Sequence, residues 1–271
     1  MSKVLAAGFR VVVLIVYTLF SVFPLFYMIL NSFKSDADTF TTFVVFRPTL
    51  DNYRAVFGDG TFVHALGNTL VVSALAVAVA LVVGVPTAYA LARFTFKGRE
   101  DIAFTILSFR FAPGLLIAMP LYVIYQHIGL FDSVLGLVWV YQLIALPLIV
   151  WVLRSYFEGV SIEVEQAAHV DGYTRLGAFW KIVLPLIRPG LVASALLAFI
   201  FCWNEFTFPL VLAGANVPMV TVQSLNFFSS NVIHYGQLCS AALISALPEF
   251  ILALLIQRHL VRGLSLGTIK G

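Results

Sequence analysis

The chain has 271 residues, of which 61% are hydrophobic and only 11% are charged. A soluble domain carries about 25% charged residues, so this much apolar surface excludes a single soluble globular core. The formal net charge of +3 comes from basic residues scattered along the chain, which gives no basic patch for nucleic acid.

Lys3 and Arg10 precede an apolar run at residues 11–30, about the length that crosses a bilayer core. The run is long for a signal peptide and no small-x-small cleavage site follows it, so it is expected to be the first span, entering from the cytoplasm. Residues 31–67 are mixed and polar, with Pro48 and a Gly58-Asp59-Gly60 turn, and are too short for a separate domain. Residues 69–92 carry no charge and form the second expected span, with Gly84 and Pro86 as kink sites. A short charged loop with Arg93, Lys97, Arg99, Glu100 and Asp101 follows.

Residues 102–125 make the third span, interrupted by Arg110 and by Pro113-Gly114, and residues 134–153 the fourth, with Pro147 inside it. The fifth is expected at 191–212 and contains Trp203, Asn204 and Glu205; the sixth is expected at 238–260, broken by Pro248-Glu249. The expected fold class is all-α: a polytopic membrane protein of six transmembrane helices, one domain over residues 1–271, with no internal repeat. Cys202 and Cys239 lie in apolar surroundings without metal-ligand spacing and read as packing residues.

Between the fourth and fifth spans lies a long polar loop, residues 158–190, reading EGVSIEVEQAAHVDGYTRLGAFWKIVLPLIRPG. Ser161 has the side chain to cap a helix, and Glu163 and Glu165 put negative charge in its first turn, where the helix dipole favours it. Gly172 permits a turn. Thr174 then caps a second short helix, in which Leu176, Phe179 and Val183 share one face, and Pro185 ends or bends it. Two short helices at a sharp angle are expected, lying outside the membrane with an apolar face presented to something.

The basic residues set the topology. Lys34, Arg47 and Arg54 fall outside and Arg110 in a span, which leaves the other twelve of the sixteen Lys and Arg residues on the cytoplasmic side. The positive-inside rule then puts both termini, the 158–190 loop and the basic, glycine-rich tail at 261–271 in the cytoplasm. The outer loop at 213–237 has no Lys or Arg at all.

The chain contains no Gly-Lys pair, hence no glycine-rich phosphate loop, so it is not expected to hydrolyse ATP itself. His64, His127, His169, His234 and His259 are scattered, and no metal cluster or nucleophile-base pair is suggested. Polar groups inside spans carry more weight, because burying them in lipid is costly. Arg110, Asn204, Glu205 and Glu249 either line a translocation path or lock helices together, and the sequence gives no distances to decide. They also define an alternative class, an ion-gradient-driven secondary transporter with Arg110, Glu205 and Glu249 as a relay. A static membrane scaffold is a third class, disfavoured by the prolines within spans.

Within the polar loop, Gln166, Ala167, Ala168, Gly172, Ile182, Leu184 and Pro185 keep the spacing of a known signature: EAA, three residues, G, nine residues, I-x-L-P. In this the chain resembles the permease subunits of bacterial ATP-binding-cassette importers. It departs at the first position, where Gln166 stands for the usual Glu and Glu165 precedes it. The segments at 120–137 (PLYVIYQHIGLFDSVLGL), 203–206 (WNEF) and 257–271 (QRHLVRGLSLGTIKG) are similar to the maltose-type carbohydrate branch, and the 110–113 region looks closest to its polyol and disaccharide members. The resemblance covers nearly the whole chain.

The resemblance implies that the loop forms coupling helices docking into an ATP-hydrolysing subunit, with Glu165, Gln166, Ala167, Ala168, Asp171, Gly172, Ile182, Leu184 and Pro185 as the coupling set. It implies a second contact with that subunit through Gly263, Gly267 and Lys270. It further implies a second, longer permease subunit, two ATP-binding subunits and an external solute-binding protein, in the bacterial or archaeal cytoplasmic membrane. ATP and Mg would bind the partner ATPase, and no cofactor this chain. By residue type, Trp203 and Phe206 either stack on a sugar ring or face the lipid or its interface, the commoner setting for aromatics.

Overall fold

The protein is described by a computed structural model covering residues 2–58, 60–228 and 234–265, with side chains between residues 7 and 255 of those stretches. The described residues are helical, with turns and no strand. They fall into two compact units, Met1–Val63 with Gln223–Leu247, and His64–Val222 with Pro248–Gly271.

In the first unit, α1 (Ser2–Ser32) covers the first apolar run and carries Pro24 inside it. Its apolar side chains are exposed all round: Leu14, Tyr17 and Phe20 are 62%, 68% and 79% exposed. A helix that is apolar on every side needs a nonaqueous surrounding. α1 ends in a polar clasp. Asn52 of α2 (Asp51–Gly58) donates to the carbonyls of Ser32 at 3.0 Å and Lys34 at 2.7 Å, and the Tyr53 hydroxyl donates to Ser32 Oγ at 2.9 Å. Lys34 is fully buried; its ammonium donates to the Thr42 carbonyl at 2.7 Å and lies over the rings of Tyr27 and Phe46. Cation–π attraction and one carbonyl thus stand where a buried charge usually has a carboxylate.

The second unit holds the main core. The later part of α3 (Thr61–Arg93) packs Ala76, Ala80, Ala88 and Leu91 with Ile149, Leu153 and Phe157 of α7 (Gln142–Gly159) and with Ala198 and Cys202 of α11 (Arg188–Trp203). The alanines keep the α3 surface shallow, so that large side chains from α7 can fill it, a common arrangement where helices associate in membranes. Gly190 lets α11 pass Tyr156 of α7, since a Cβ there would lie 2.5 Å from the ring.

Among the described residues, three helical stretches are long and apolar enough to cross a membrane alone: Ala7–Ser32, Thr61–Arg93 and Tyr235–Leu255. Three bent pairs raise the number to as many as six if each pair is one span. α4 (Arg99–Ser108), extended by a 3-10 turn at Phe109–Phe111, meets α5 (Gly114–Ile128) at 91°. This break falls at Arg110 and Pro113-Gly114, where the sequence places it. α6 (Val134–Val140) meets α7 at 43°. That bend is at Tyr141 and not at Pro147, which sits inside α7. Gln142 supports it by donating to the carbonyls of Val138 at 2.9 Å and Ala76 at 3.1 Å.

The polar loop forms α8 (Ile162–Val170) and α9 (Arg175–Ala178), and α9 continues through a π-helical turn at Phe179–Val183 into α10 (Leu184–Leu186). This rod meets α11 at 73°. Two expectations change here. The 191–212 stretch is not one helix: α11 stops at Trp203 and α12 (Thr207–Leu212) restarts after Asn204–Phe206. After the four-residue α13 (Val220–Gln223), α14 (Tyr235–Ser265) runs through Pro248 without a break. Pro248 forfeits one amide donor, but the turns on either side keep the helix going.

Candidate functional site in the polar loop

Both helix starts are made by the residues expected. Ser161 Oγ accepts from the Glu163 amide at 3.3 Å, and Thr174 Oγ1 accepts from the Gly177 amide at 3.1 Å. Between them Gly172 has φ of 87°, a left-handed conformation, and the Tyr173 amide donates to the Ala168 carbonyl at 3.0 Å, closing α8. His169 adds a ring-nitrogen contact to the Tyr173 carbonyl at 3.0 Å.

The loop has two faces. Inward, Glu165 is 8% and Ala168 2% exposed, three residues apart on one side of α8. Glu165 accepts from the Tyr89 hydroxyl at 2.8 Å and from Arg93 Nε at 2.5 Å, both near the end of α3. The same Arg93 guanidinium donates from Nη2 to the Val160 carbonyl at 2.8 Å, just ahead of α8. Tyr89 sits among Phe94, Phe157 and Phe179 with ring centroids 4.7–6.0 Å away. Outward, Gln166, Ala167 and Asp171 are exposed, together with Ile162, Val170, Leu176 and Trp180. Val170 is 88% and Leu176 71% exposed, a large apolar commitment for a polar loop. Leu176 therefore does not share the buried face of Phe179 and Val183; α9 is one turn long and the wider π turn that follows resets the register.

A cleft of about 200 Å³ lies between the two helices, lined by Tyr89, Arg93, Phe94, Ile162, Glu165, Gln166, His169 and Arg175. Beside it, Arg154 of α7 holds Glu100 at 2.6 and 2.9 Å and Glu158 at 2.8 Å, tying α4 to α7. Ile182, Leu184 and Pro185 belong to the rod and are half-buried or exposed. Of the tail residues, Gly263 lies in α14, while Gly267 and Lys270 fall outside the described residues.

The polar residues of the expected spans are placed differently from one another. Arg110 forms no ion pair with Glu205 or Glu249 among the described residues; its guanidinium lies 4.2 Å from the ring centre of Phe201. The Glu205 carboxylate caps α12, accepting from the amides of Thr207 at 2.8 Å and Phe208 at 3.1 Å. Asn204 donates to Glu249 and, at 3.0 Å, to the Ile200 carbonyl. Trp203 is 3% exposed and stacks on Phe199 at 5.6 Å, so its indole offers no open face. Among the described residues no cluster of His, Cys, Asp or Glu could hold a metal ion.

Sequence reasoning missed three things. It gave Arg93 only a topological role and Tyr89 none, because their partner lies 72 residues away from Arg93 in the chain. It also passed over Asp132, which has φ of 50° and accepts from the amides of Gly214, Asn216 and Val217 at 2.7, 2.9 and 3.0 Å. The local signal was an aspartate in a short turn just before Ser133, whose Oγ accepts from the Gly136 amide at 3.1 Å and caps α6.

Residues 80–266 match the family described as binding-protein-dependent transport system inner membrane component. The trehalose transport system permease protein SugB of Mycobacterium tuberculosis is 35% identical over 226 residues, 82% of each chain. The trehalose/maltose transport system permease protein MalG of Thermococcus litoralis is 32% identical over 263 residues, covering 95% of this chain and 94% of that one. In fold, the chain is similar to a chain of a bacterial ABC transporter that imports the acidic polysaccharide alginate, with a TM-score of 0.77, 24% identity and coverage of 95% of this chain and 97% of that one. The site is therefore that of a transporter subunit and not of an enzyme, and the chain belongs to the binding-protein-dependent inner membrane components, the multi-pass permease subunits of ATP-binding-cassette importers in the cytoplasmic membrane.

Proposed function

We propose that this permease moves a sugar, polyol or related small solute, and that its polar loop is the docking element for a separate ATP-hydrolysing subunit. The observation that carries the docking role is the outward face of α8 and α9, where Val170 and Leu176 stand almost free beside Gln166, Ala167 and Asp171. Isolated apolar side chains at that exposure, on a loop between two spans, fit a groove on a soluble partner. Gly172, Ile182, Leu184 and Pro185 set the shape of the element; Glu165 and Ala168 hold it from within. ATP and Mg would be held by that partner.

The chain would cross the membrane six times with both termini and α8 in the cytoplasm, the arrangement the basic residues favour. A second permease subunit would complete the pore, and an external solute-binding protein would deliver the solute to the 213–237 side. Carbohydrate relatives named for trehalose and maltose, each over 30% identical, support the substrate class. Asn204 and Glu249 are the polar pair nearest to a solute role, since both keep exposed surface within a span.

The test is a mild-detergent pull-down of the tagged protein from native membranes, followed by mass spectrometry. Recovery of a Walker-type ATPase and a second polytopic permease is expected. Recovery of the chain alone or as a homo-oligomer after cross-linking overturns the proposal. Trehalose uptake that requires the co-purified ATPase is the matching functional assay.

A further inference from the structure

The buried side of the loop carries a different device from the docking side. A docking helix transmits force only if it is fixed to the span it must move. α8 is nine residues long, which is too short to be stable by itself. Besides the buried Ala168, its hold on the end of α3 is a polar knot. Glu165 accepts from Arg93 at 2.5 Å and from Tyr89 at 2.8 Å, with side chains of Arg93 and Glu165 only 9% and 10% exposed. The Arg93 fork uses its second arm on the Val160 carbonyl at 2.8 Å. One guanidinium thus bridges the end of α3 to both sides of the α7–α8 junction, a geometry that lysine's single ammonium does not reproduce. The rings of Phe94, Phe157 and Phe179 pack around Tyr89, and the low exposure of Arg93 and Glu165 limits competition from water.

We infer that Arg93, Glu165 and Tyr89 form a clamp that makes α8 and the end of α3 one rigid lever, with Arg93 and Glu165 as positioning residues for transport. Glu165 is the acid nearest the signature's first position, yet its carboxylate is used up inside this chain, and the docking contact at that end falls to Gln166, which is exposed. The inference rests on the importer reading for its functional consequence, but the clamp itself is a property of this chain.

The experiment places spin labels at Val82→Cys and Glu163→Cys, exposed positions on α3 and α8 away from the docking residues, in a Cys202→Ala/Cys239→Ser background. The distance distribution is measured in the purified complex, nucleotide-free and trapped with MgATP and vanadate. A single narrow distance, the same in both states, is expected for the native clamp. Glu165→Ala and Arg93→Lys should broaden it, and trehalose carried per ATP hydrolysed should fall by about fivefold or more, the lower end of ordinary coupling energies. The swapped pair Arg93→Glu/Glu165→Arg should recover part of the narrow distance. Variants that keep both the narrow distribution and the native transport ratio overturn the inference. If Glu165→Ala does not assemble, Arg93→Lys, which keeps the charge, is judged by the same two readings. If no ATPase accompanies the native chain, the importer reading falls, while the distances on the chain alone still decide the clamp.

Discussion

Gly172 is where a single atom decides the shape of the turn between α8 and α9. Its φ of 87° is left-handed, and a Cβ added there would meet nothing within 4 Å. The cost of a side chain is therefore backbone strain alone, roughly 1–2 kcal/mol for a branched residue, or about a 5–30-fold shift in population. Gly172→Val should lower recovery of the ATPase with the chain by about that factor, and Gly172→Asn, which tolerates the left-handed region, should stay near native. Equal recovery of the two variants would show that the turn does not shape the docking face. Asp132 makes the matching case on the other side of the polar loop's spans. Three amides of residues 214–217 converge on its carboxylate. Hydrogen bonds to a charged group contribute about 1.5–3 kcal/mol each at most, so Asp132→Ala should open residues 213–217 to limited proteolysis and lower Tm. Asp132→Asn, which suits the φ of 50° and keeps one acceptor, should fall between. An unchanged cleavage pattern in Asp132→Ala would mean that the segment is held by its own packing.

At the scale of elements, what was legible followed from composition, and what was not followed from pairing. The apolar runs, the Ser161 and Thr174 caps and the Gly172 turn are local, and local physics is written in neighbouring residues. Helix breaks are written that way only in part: Pro113-Gly114 marks the 91° break, but the other prolines mislead. Proline marks a missing donor, yet Pro147 and Pro248 lie inside continuous helices, while the chain bends at Tyr141 and after Trp203, where no proline stands. Those bends are held by side chains that take over free backbone groups: Gln142 at the first, Glu205 at the second. The helix-locking alternative for Arg110 is not met by an ion pair with Glu205 or Glu249 among the described residues, since the sequence counts charges and cannot measure gaps. The Glu205 cap gives a test that separates structure from solute contact. Glu205→Ala should cost about 0.5–2 kcal/mol, the usual range for a lost helix cap, seen as a lower Tm in detergent, with the KM for solute unchanged in the folded fraction. A raised KM at native Tm would instead return Glu205 to the solute path. Pro248→Ala, by contrast, should leave Tm at or above native, because it restores a donor to a helix that is already continuous.

For the whole molecule, the decisive quantity is which side each loop faces. Charge distribution sets this in a membrane, where moving basic residues outward is opposed at insertion. The 158–190 loop and its neighbours hold Arg93, Arg154, Arg175, Lys181 and Arg188, and the 213–237 stretch holds no basic residue. An exposed residue on each supplies a reporter: Val170 on α8 and Ala215 beside the Asp132 clamp. Cysteine at each position, in the Cys202→Ala/Cys239→Ser background, is treated with a membrane-impermeant maleimide. Val170→Cys should be labelled in inside-out vesicles and silent in intact cells, and Ala215→Cys should show the reverse. Loss of Val170→Cys labelling when the ATPase subunit is bound, with return after the subunit is stripped, would join topology to docking in one experiment. Labelling of both positions from the same side would mean that the chain between them does not cross the membrane, and labelling of Val170→Cys in intact cells would place α8 beyond the reach of an ATPase in the cytoplasm.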